Sequence, residues 1–242
     1  MKKREPLMSE EHFEGWITSR TDHIKEYLDE IDDFKNISSA YYTIYLDCKD
    51  LINSKYSAGY LVEQMRDDVQ HALNWLIRNK EHPDNSGIFF DVLDFYVDYL
   101  QLYALGVIFN IEKQILQKLL TLIGHDGEDA LLDKLALSVL PDRKQGNTLQ
   151  HPKAYQSLFD AINATKEEQS KLMQKFLKGW YKSMRKCSWH DRHLGQGKYA
   201  FTGYWCWEAA MATILYEIDD SSYRDMPFYP KDMVEYARQQ KL

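Results

Sequence analysis

Apolar residues recur at three- and four-residue steps along almost the whole chain, with polar residues between them. The first such run, residues 12–34, carries acids on the face opposite its apolar positions, which is typical of an amphipathic helix. The same period predicts further helices near 38–53, 58–80, 89–109, 111–123, 128–139, 153–163, 166–186, 201–218 and 231–240. No segment alternates apolar and polar residues between hairpin turns. We therefore predict an all-α fold, a multi-helix bundle of about ten helices.

Turn-forming residues interrupt this pattern most clearly at Gly124–Gly127, where two glycines flank His125 and Asp126. We predict that this break separates two helical domains. The expected N-terminal acidic domain covers residues 9–123 and the C-terminal domain covers residues 128–240. We expect the two domains to share one hydrophobic core.

Length and cysteine content place the chain in a broad class. Its 242 residues suffice for a hydrophobic core in one large domain or two small ones. Three scattered cysteines are too few for a disulfide framework, which favours a reducing compartment. Residues 1–15 begin with basic residues but no apolar stretch follows, and no run of about 18 apolar residues occurs. We expect a cytoplasmic protein without a membrane partner.

Acidic residues are concentrated in the first part of the chain. The net charge is −7, yet residues 1–100 hold 20 Asp and Glu against 11 Lys and Arg, whereas residues 101–242 hold 17 against 19. An acidic surface repels nucleic acid and accelerates the approach of basic proteins. We therefore expect a protein partner and no direct binding of nucleic acid.

Two groups of acidic residues are candidates for a partner-binding surface. The first, in the C-terminal half of the first predicted helix, comprises Glu26, Asp29, Glu30, Asp32 and Asp33. The second comprises Asp91, Asp94 and Asp98, whose spacing places them on one face of an otherwise apolar helix. That spacing also suits a carboxylate metal site in a helix bundle, but the companion Glu-x-x-His motifs are missing. The alternatives are a metal site and a stripe that faces solvent or a partner.

Glu208 is the one charge in the run Gly203–Tyr216. The helix predicted near 201–218 is apolar around its whole circumference, so we expect Glu208 to be buried. A buried carboxylate must be hydrogen-bonded, paired with a cation or protonated. Its candidate partners are Arg192, Arg224, Arg238, His190 and His193. Either Glu208 anchors this helix to a loop, or it is a catalytic acid with a raised pKa.

The loop Cys187–His193 contains one thiol and two imidazoles within seven residues. These groups could provide three zinc ligands or a Cys-His nucleophile pair. No second pair with the spacing of a closed zinc site occurs elsewhere in the chain. The other interpretation is a polar loop in which Arg192 or a histidine reaches Glu208.

The C-terminal segment 197–238 carries a set of short motifs. They are Gly-Tyr-Trp at 203–205, Trp-Glu-Ala-Ala at 207–210, Ile-Asp-Asp-Ser-Ser at 218–222, Tyr-Pro at 229–230, Asp232, and Ala-Arg at 237–238. In these motifs the chain resembles the C-terminal domain of the PoNi family of immunity proteins. Its acidic N-terminal helices resemble the N-terminal domain of that family more loosely.

The resemblance implies a cytoplasmic antidote. Members of this family are paired with PoNe toxins, DNases of the PD-(D/E)xK superfamily that bacterial secretion systems such as type VI deliver between competing cells. They protect the producer by binding the toxin. The resemblance implies no catalytic residue, metal or cofactor. We expect the motif residues to be structural: Gly203, Tyr204, Trp205, Trp207, Glu208, Asp219, Asp220, Tyr229, Pro230 and Arg238.

The residues support three hypotheses. The first is an immunity protein that neutralises a DNase toxin by occluding its DNA-binding or active site. The second is a hydrolase or metal-dependent enzyme centred on Glu208 and the loop Cys187–His193. The third is a helical scaffold that oligomerises through aromatic faces, because the chain has 17 tyrosines and 6 tryptophans. Only the third makes a prediction about the oligomeric state.

Overall fold

Ten α-helices make up most of the computed structural model, which describes residues 2–240 except Ser86 and Ile88. In chain order they are α1 (Glu10–Asp29), α2 (Ile37–Ala58), α3 (Arg66–Glu81), α4 (Leu93–Ile108), α5 (Lys113–Ile123), α6 (Ala130–Ala136), α7 (Pro152–Asn163), α8 (Lys166–Ser183), α9 (Trp207–Leu215) and α10 (Lys231–Gln239). Short 3-10 helices occupy Ile31–Asp33, Val62–Met65 and Gly195–Ala200. These described residues contain no β-strand, so the predicted all-α fold is confirmed. None of their helices is both long enough and apolar enough to cross a bilayer.

The helices divide into two compact units. The first unit comprises Met1–Gly87 and Asp191–Tyr204. The second unit comprises Ile88–His190 and Trp205–Leu242. The break at Gly124–Gly127 connects α5 to α6 inside the second unit.

In the first unit α2 is the central helix, and both α1 and α3 pack against it. Twelve of its 22 residues are buried because it has neighbours on two sides. Asn36 caps its N-terminus by accepting a hydrogen bond from the Ser39 N–H at 3.0 Å. Gly59 ends it in the left-handed conformation, with φ of 97°, where a side chain would collide with the Lys2 carbonyl.

In the second unit α4 and α9 form the core. They pack against each other, and α4 also contacts α5 and α10, while α7 packs against α8. Twelve of the 16 residues of α4 and eight of the nine residues of α9 are buried. Both helices are apolar around most of their circumference, as expected for helices that are covered on most sides.

The apolar run near 58–80 is not one helix. Gly59 ends α2, the 3-10 helix Val62–Met65 follows, and α3 begins only at Arg66. The prediction was too long because Val62 and Met65 are buried and so continue the apolar pattern without belonging to α3. A buried position requires a covering neighbour and not a particular backbone conformation.

The apolar run near 201–218 contains a shorter helix than predicted. α9 begins at Trp207 and ends at Leu215, and Phe201–Cys206 is irregular. Gly203 has φ of 111°, which is incompatible with a continuing α-helix. Trp205 therefore precedes α9 and is half-buried, whereas Tyr204 and Trp207 are buried.

Candidate functional site

The acidic residues predicted in the first helix form an exposed cluster at its C-terminal end. Glu26 and Asp29 belong to the last turns of α1, Glu30 follows as its cap, and Asp32 and Asp33 lie in the next 3-10 helix. All five side chains are exposed, and within the described part of the chain none of them forms an ion pair. We term these five residues the acidic patch.

Apolar and aromatic side chains stand beside the acidic patch. Leu28 is 41 % exposed. The rings of Tyr27 and Phe34 stack with centroids 4.8 Å apart, and both residues are half-buried. Protein interfaces combine aromatic or apolar anchors with a polar rim. The acidic patch and its neighbours therefore have the composition of a protein-binding surface.

The electrostatics of α1 do not favour the acidic patch. The C-terminal end of a helix is partially negative, so carboxylates destabilise it and cations stabilise it. α1 ends with Asp29 and Glu30 and has no basic residue in its last turn. Helix stability therefore does not explain the position of these acids.

The second predicted acidic group is not one surface stripe. Asp91 is exposed and precedes α4. Asp94, in the first turn of α4, is half-buried and accepts a hydrogen bond from the Ser188 N–H at 3.1 Å. Asp98 is buried, because α4 is covered by its neighbours on that side. Among the described residues, no group of three His, Cys, Asp or Glu side chains is placed to hold a metal ion.

Asp91 and Asp94 line a groove of about 690 Å³ in the second unit. Its apolar lining includes Val92, Leu93 and Ala154. The other charged side chains of the lining are the cations Lys153, Lys182, Arg185 and Lys186. The groove therefore carries more positive than negative charge, and we term it the basic groove.

A row of lysines leads away from the basic groove along α8. Lys171, Lys175, Lys178 and Lys182 follow one another at three- and four-residue steps, within an arc of about 60° on the helix. All four are exposed, and none has an ion-pair partner among residues 2–85, 87 and 89–240. The sequence predictions missed this lysine row because they used only the summed charge of each part of the chain, although the spacing of the lysines is visible in the sequence.

Glu208 is fully buried, as predicted, and three neutral donors hold it. Trp180 Nε1 and the Tyr155 hydroxyl donate to Oε1 at 2.7 and 3.1 Å. Gln101 Nε2 donates to Oε2 at 3.4 Å. The donors belong to α8, α7 and α4, and Glu208 lies in the first turn of α9. One carboxylate therefore joins four helices of the second unit.

Several predicted cationic partners of Glu208 bind other groups instead. Arg224 and Arg238 donate to Asp220 at 3.2 and 2.8 Å. His193 Nδ1 lies 2.8 Å from the Tyr204 hydroxyl. The prediction was wrong because the actual donors lie 28, 53 and 107 residues from Glu208 in the chain. Helix packing alone brings them together.

Burial raises the pKa of Glu208 above its ordinary value, although its own backbone N–H and its three side-chain donors act in the opposite direction. A raised pKa would suit a catalytic acid. Glu208 is 0 % exposed, however, and the basic groove does not include it. The arrangement supports a bracing role, since without the carboxylate two buried donors would lack an acceptor.

The loop Cys187–His193 does not bring its thiol and imidazoles together as metal ligands within the described residues. Cys187 is buried. His190 stacks on Tyr181, with ring centroids 4.2 Å apart. His193 instead packs edge-on against the Tyr204 ring. The two imidazoles have separate aromatic neighbours. Among the described residues Glu208 accepts its side-chain hydrogen bonds from Gln101, Tyr155 and Trp180, so the prediction that this loop reaches Glu208 was wrong.

The C-terminal motif residues build a second buried carboxylate centre. Asp220 is 4 % exposed and accepts hydrogen bonds from Arg238, Arg224 and the Tyr229 hydroxyl at 2.8, 3.2 and 3.1 Å. Asp219 is exposed and accepts a hydrogen bond from the Ser221 N–H, which lowers its pKa. Pro230 then precedes α10 as its N-cap residue. These contacts support a structural role for the motif.

A carboxylate cluster in the first unit was missed by the sequence predictions. Asp47 is buried, and its two oxygens lie 2.7 Å from Arg20 Nη1 and 2.6 Å from His23 Nδ1. Asp50 lies one turn later on α2, and burial raises its pKa to about 6 despite nearby cations. The cluster joins α1 to α2, so its residues are too far apart in the chain for a local sequence pattern to predict it.

Asp50→Asn should stabilise the protein at neutral pH. The folded-state pKa of Asp50, about 6, exceeds the value near 3.9 of an unfolded chain, so the native protein loses stability as pH rises between them. The side chain of the variant does not titrate. Its free energy of unfolding should therefore exceed that of the wild type by about 1 to 3 kcal/mol at pH 7.5, with no difference from this cause below about pH 4. Urea unfolding at both pH values measures this. Asp47→Asn, which breaks a buried ion pair, should destabilise; equal effects of the two variants would contradict this assignment.

Two family models match the chain. The model for the N-terminal part of PoNe immunity protein (PoNi) matches residues 4–121. The model for the C-terminal part of PoNe immunity proteins (PoNi) matches residues 127–233. The first match contains the acidic patch, and the second contains Glu208, Asp220 and the lysine row. The two matches together span nearly the whole chain.

Among solved structures, the crystal structure of protein PA2201 from Pseudomonas aeruginosa is similar to this chain. The TM-score is 0.70, and the similarity covers 93 % of this chain and 89 % of that chain at 18 % sequence identity. At this identity the likeness concerns the fold alone. No curated protein sequence matches the chain.

Proposed function

Because the chain belongs to the PoNe immunity protein family, we propose that it binds and neutralises a cognate secreted antibacterial DNase toxin of the PoNe type. In this proposal the protein acts in the cytoplasm of the producing cell and requires no cofactor. It inhibits the toxin stoichiometrically, by occluding the DNA-binding or active site, and it catalyses no reaction.

The acidic patch is the observation that carries this proposal. A DNase must present a cationic surface to the phosphates of DNA. Five exposed carboxylates, which have no ion-pair partner among the described residues, are complementary to such a surface and would accelerate the encounter. Leu28 and the stacked rings of Tyr27 and Phe34 would supply the apolar contact that charges alone lack.

The second acidic group is left out of the proposed toxin-binding surface. Asp98 is buried, and Asp94 is half-buried and hydrogen-bonded. Asp91 is exposed, but it shares the basic groove with four cations. These cations would repel the same basic partner that the acidic patch attracts.

Survival under co-expression tests the proposal. Bacteria that produce the cognate PoNe-type toxin should die, and co-expression of the chain should rescue them. Purified chain should also stop plasmid digestion by the toxin at one molecule of inhibitor per molecule of toxin. Digestion that continues under a molar excess, with no complex on size-exclusion chromatography, would contradict the proposal.

Two controls separate toxin binding from other causes of protection. An unrelated nuclease should keep its full activity in the presence of the chain. Plasmid DNA mixed with the chain alone should migrate unchanged, since protection by masking the DNA would be a different mechanism. Protection that extends to both nucleases would point to the DNA, and not the toxin, as the partner.

A further inference from the structure

The basic groove and the lysine row are not used by the proposed toxin contact. Their seven cations have no hydrogen-bond or ion-pair partner among the described residues. They are Lys153, Lys171, Lys175, Lys178, Lys182, Arg185 and Lys186. Like charges at three- and four-residue steps destabilise a helix. A surface of this kind is expected where an acidic partner compensates the charge.

We propose that the basic groove and the lysine row bind the acidic patch of a second copy of this chain. Within the described part of the chain, the patch offers five carboxylates without an ion-pair partner, and the facing surface offers seven cations without one. From Lys171 to Lys182 the row extends for roughly 16 Å. The patch extends for roughly 12 Å along the end of α1 and the following 3-10 helix. The two charged surfaces are therefore comparable in length.

Apolar residues are placed to match as well. Leu28 is 41 % exposed at the acidic patch, beside the rings of Tyr27 and Phe34. Val92 is 42 % exposed in the lining of the basic groove. The groove volume of about 690 Å³ is within the range of pockets that accept molecules larger than one side chain. An apolar contact surrounded by opposite charges is the usual anatomy of a protein interface.

Nucleic acid is the other partner that a row of lysines attracts. One observation favours a protein. Asp91 and Asp94 line the basic groove and would repel phosphates, whereas a protein segment can place apolar side chains against that wall.

Self-association would occupy the acidic patch and therefore compete with the toxin. The inference rests on the same patch as the proposed function, but it does not require the toxin. Associated copies would dissociate when a cationic partner binds the acidic patch. The self-contact is thus a reversible way to cover an exposed acidic and apolar surface until the partner arrives.

Sedimentation velocity on the purified chain tests the proposal. In about 50 mM salt the mass should rise above the monomer value of 28.7 kDa as concentration increases, and in about 500 mM salt the monomer should return. Asp29→Lys with Glu30→Lys, or Lys178→Glu with Lys182→Glu, should weaken self-association at least tenfold. An equimolar mixture of these two variants should associate again, because the intact basic groove and lysine row of the first variant can bind the intact acidic patch of the second.

A matched control and three contrary outcomes complete the test. Lys113→Glu with Lys144→Glu changes the charge equally at exposed positions elsewhere in the second unit and should leave self-association intact. A monomer at every concentration and salt, or a mixture that fails to associate, would overturn the proposal. Binding of a short DNA duplex that is lost in Lys178→Glu with Lys182→Glu would also overturn it, in favour of nucleic acid. No toxin is present, so failure here leaves the survival assay of the proposed function unaffected.

Discussion

Glu208→Ala is expected to destabilise the protein by about 3 to 5 kcal/mol. The substitution removes the acceptor of Trp180 Nε1 and of the Tyr155 hydroxyl, which are both in the core. Each buried donor without an acceptor costs about 1 to 3 kcal/mol, and the missing side chain leaves a cavity. Domains of this kind are stable by only about 5 to 15 kcal/mol, so urea unfolding followed by tryptophan fluorescence should shift clearly.

Glu208→Gln is the matched control for this prediction. The side-chain oxygen of this variant can accept hydrogen bonds from Trp180 and Tyr155. Its amide nitrogen can donate to the side-chain oxygen of Gln101 once the Gln101 amide rotates by half a turn. We expect a loss of no more than about 1 kcal/mol near pH 5.

The stability of Glu208→Gln relative to the wild type should change with pH in one direction only. Burial raises the pKa of Glu208, so the folded protein holds the proton more tightly than the unfolded chain. The free energy of unfolding of the wild type should therefore fall as pH rises above the ordinary pKa of 4.5. That of Glu208→Gln should not fall for this reason, so the stability of the variant relative to the wild type should increase towards pH 8.

Two results would contradict the bracing role of Glu208. One is an Ala variant that unfolds at the same urea concentration as the wild type. The other is a well-folded Gln variant that no longer protects against the toxin, because function would then depend on the charge or proton of the carboxyl group.

Reversal of three charges in the acidic patch is expected to slow toxin association by about 10- to 100-fold at about 0.1 M salt. The variant carries Asp29→Lys, Glu30→Lys and Asp33→Lys, all at exposed positions. Attraction between opposite charges acts before contact, so the association rate should fall more than the dissociation rate rises, and its salt dependence should shrink. Stopped-flow mixing with a catalytically inactive toxin measures both effects.

The control for this variant reverses three exposed acids elsewhere in the first unit, at Glu63, Asp67 and Asp84. It changes the net charge by the same amount, and it should slow association by no more than roughly threefold. Equal slowing in both variants would mean that only net charge matters, and the acidic patch would not be the toxin-binding surface. Thermal unfolding should confirm that both variants remain folded.

Helix formation was predictable from the chain because the signal is local. The apolar period placed the start of α7 within one residue, and the end of α5 at Ile123 coincides with the predicted one. The runs near 58–80 and 201–218 were extended too far, since buried residues such as Phe201 also occur outside helices. The exposure of the acidic patch was predictable for the same local reason, while the burial of Asp98 depended on helices packed around α4.

The sequence alone determined that the chain is helical, that acids lie on the exposed face of its first predicted helix, and that Glu208 is buried, because each follows from residues within a few turns of one another. Only the tertiary structure decided that Gln101, Tyr155 and Trp180 hold Glu208, and that Lys182 at the end of α8 shares one groove with Lys153. These groups are distant along the chain, so their contacts depend on how whole helices pack. The packing responds to the summed burial of many side chains, which no short stretch of sequence specifies.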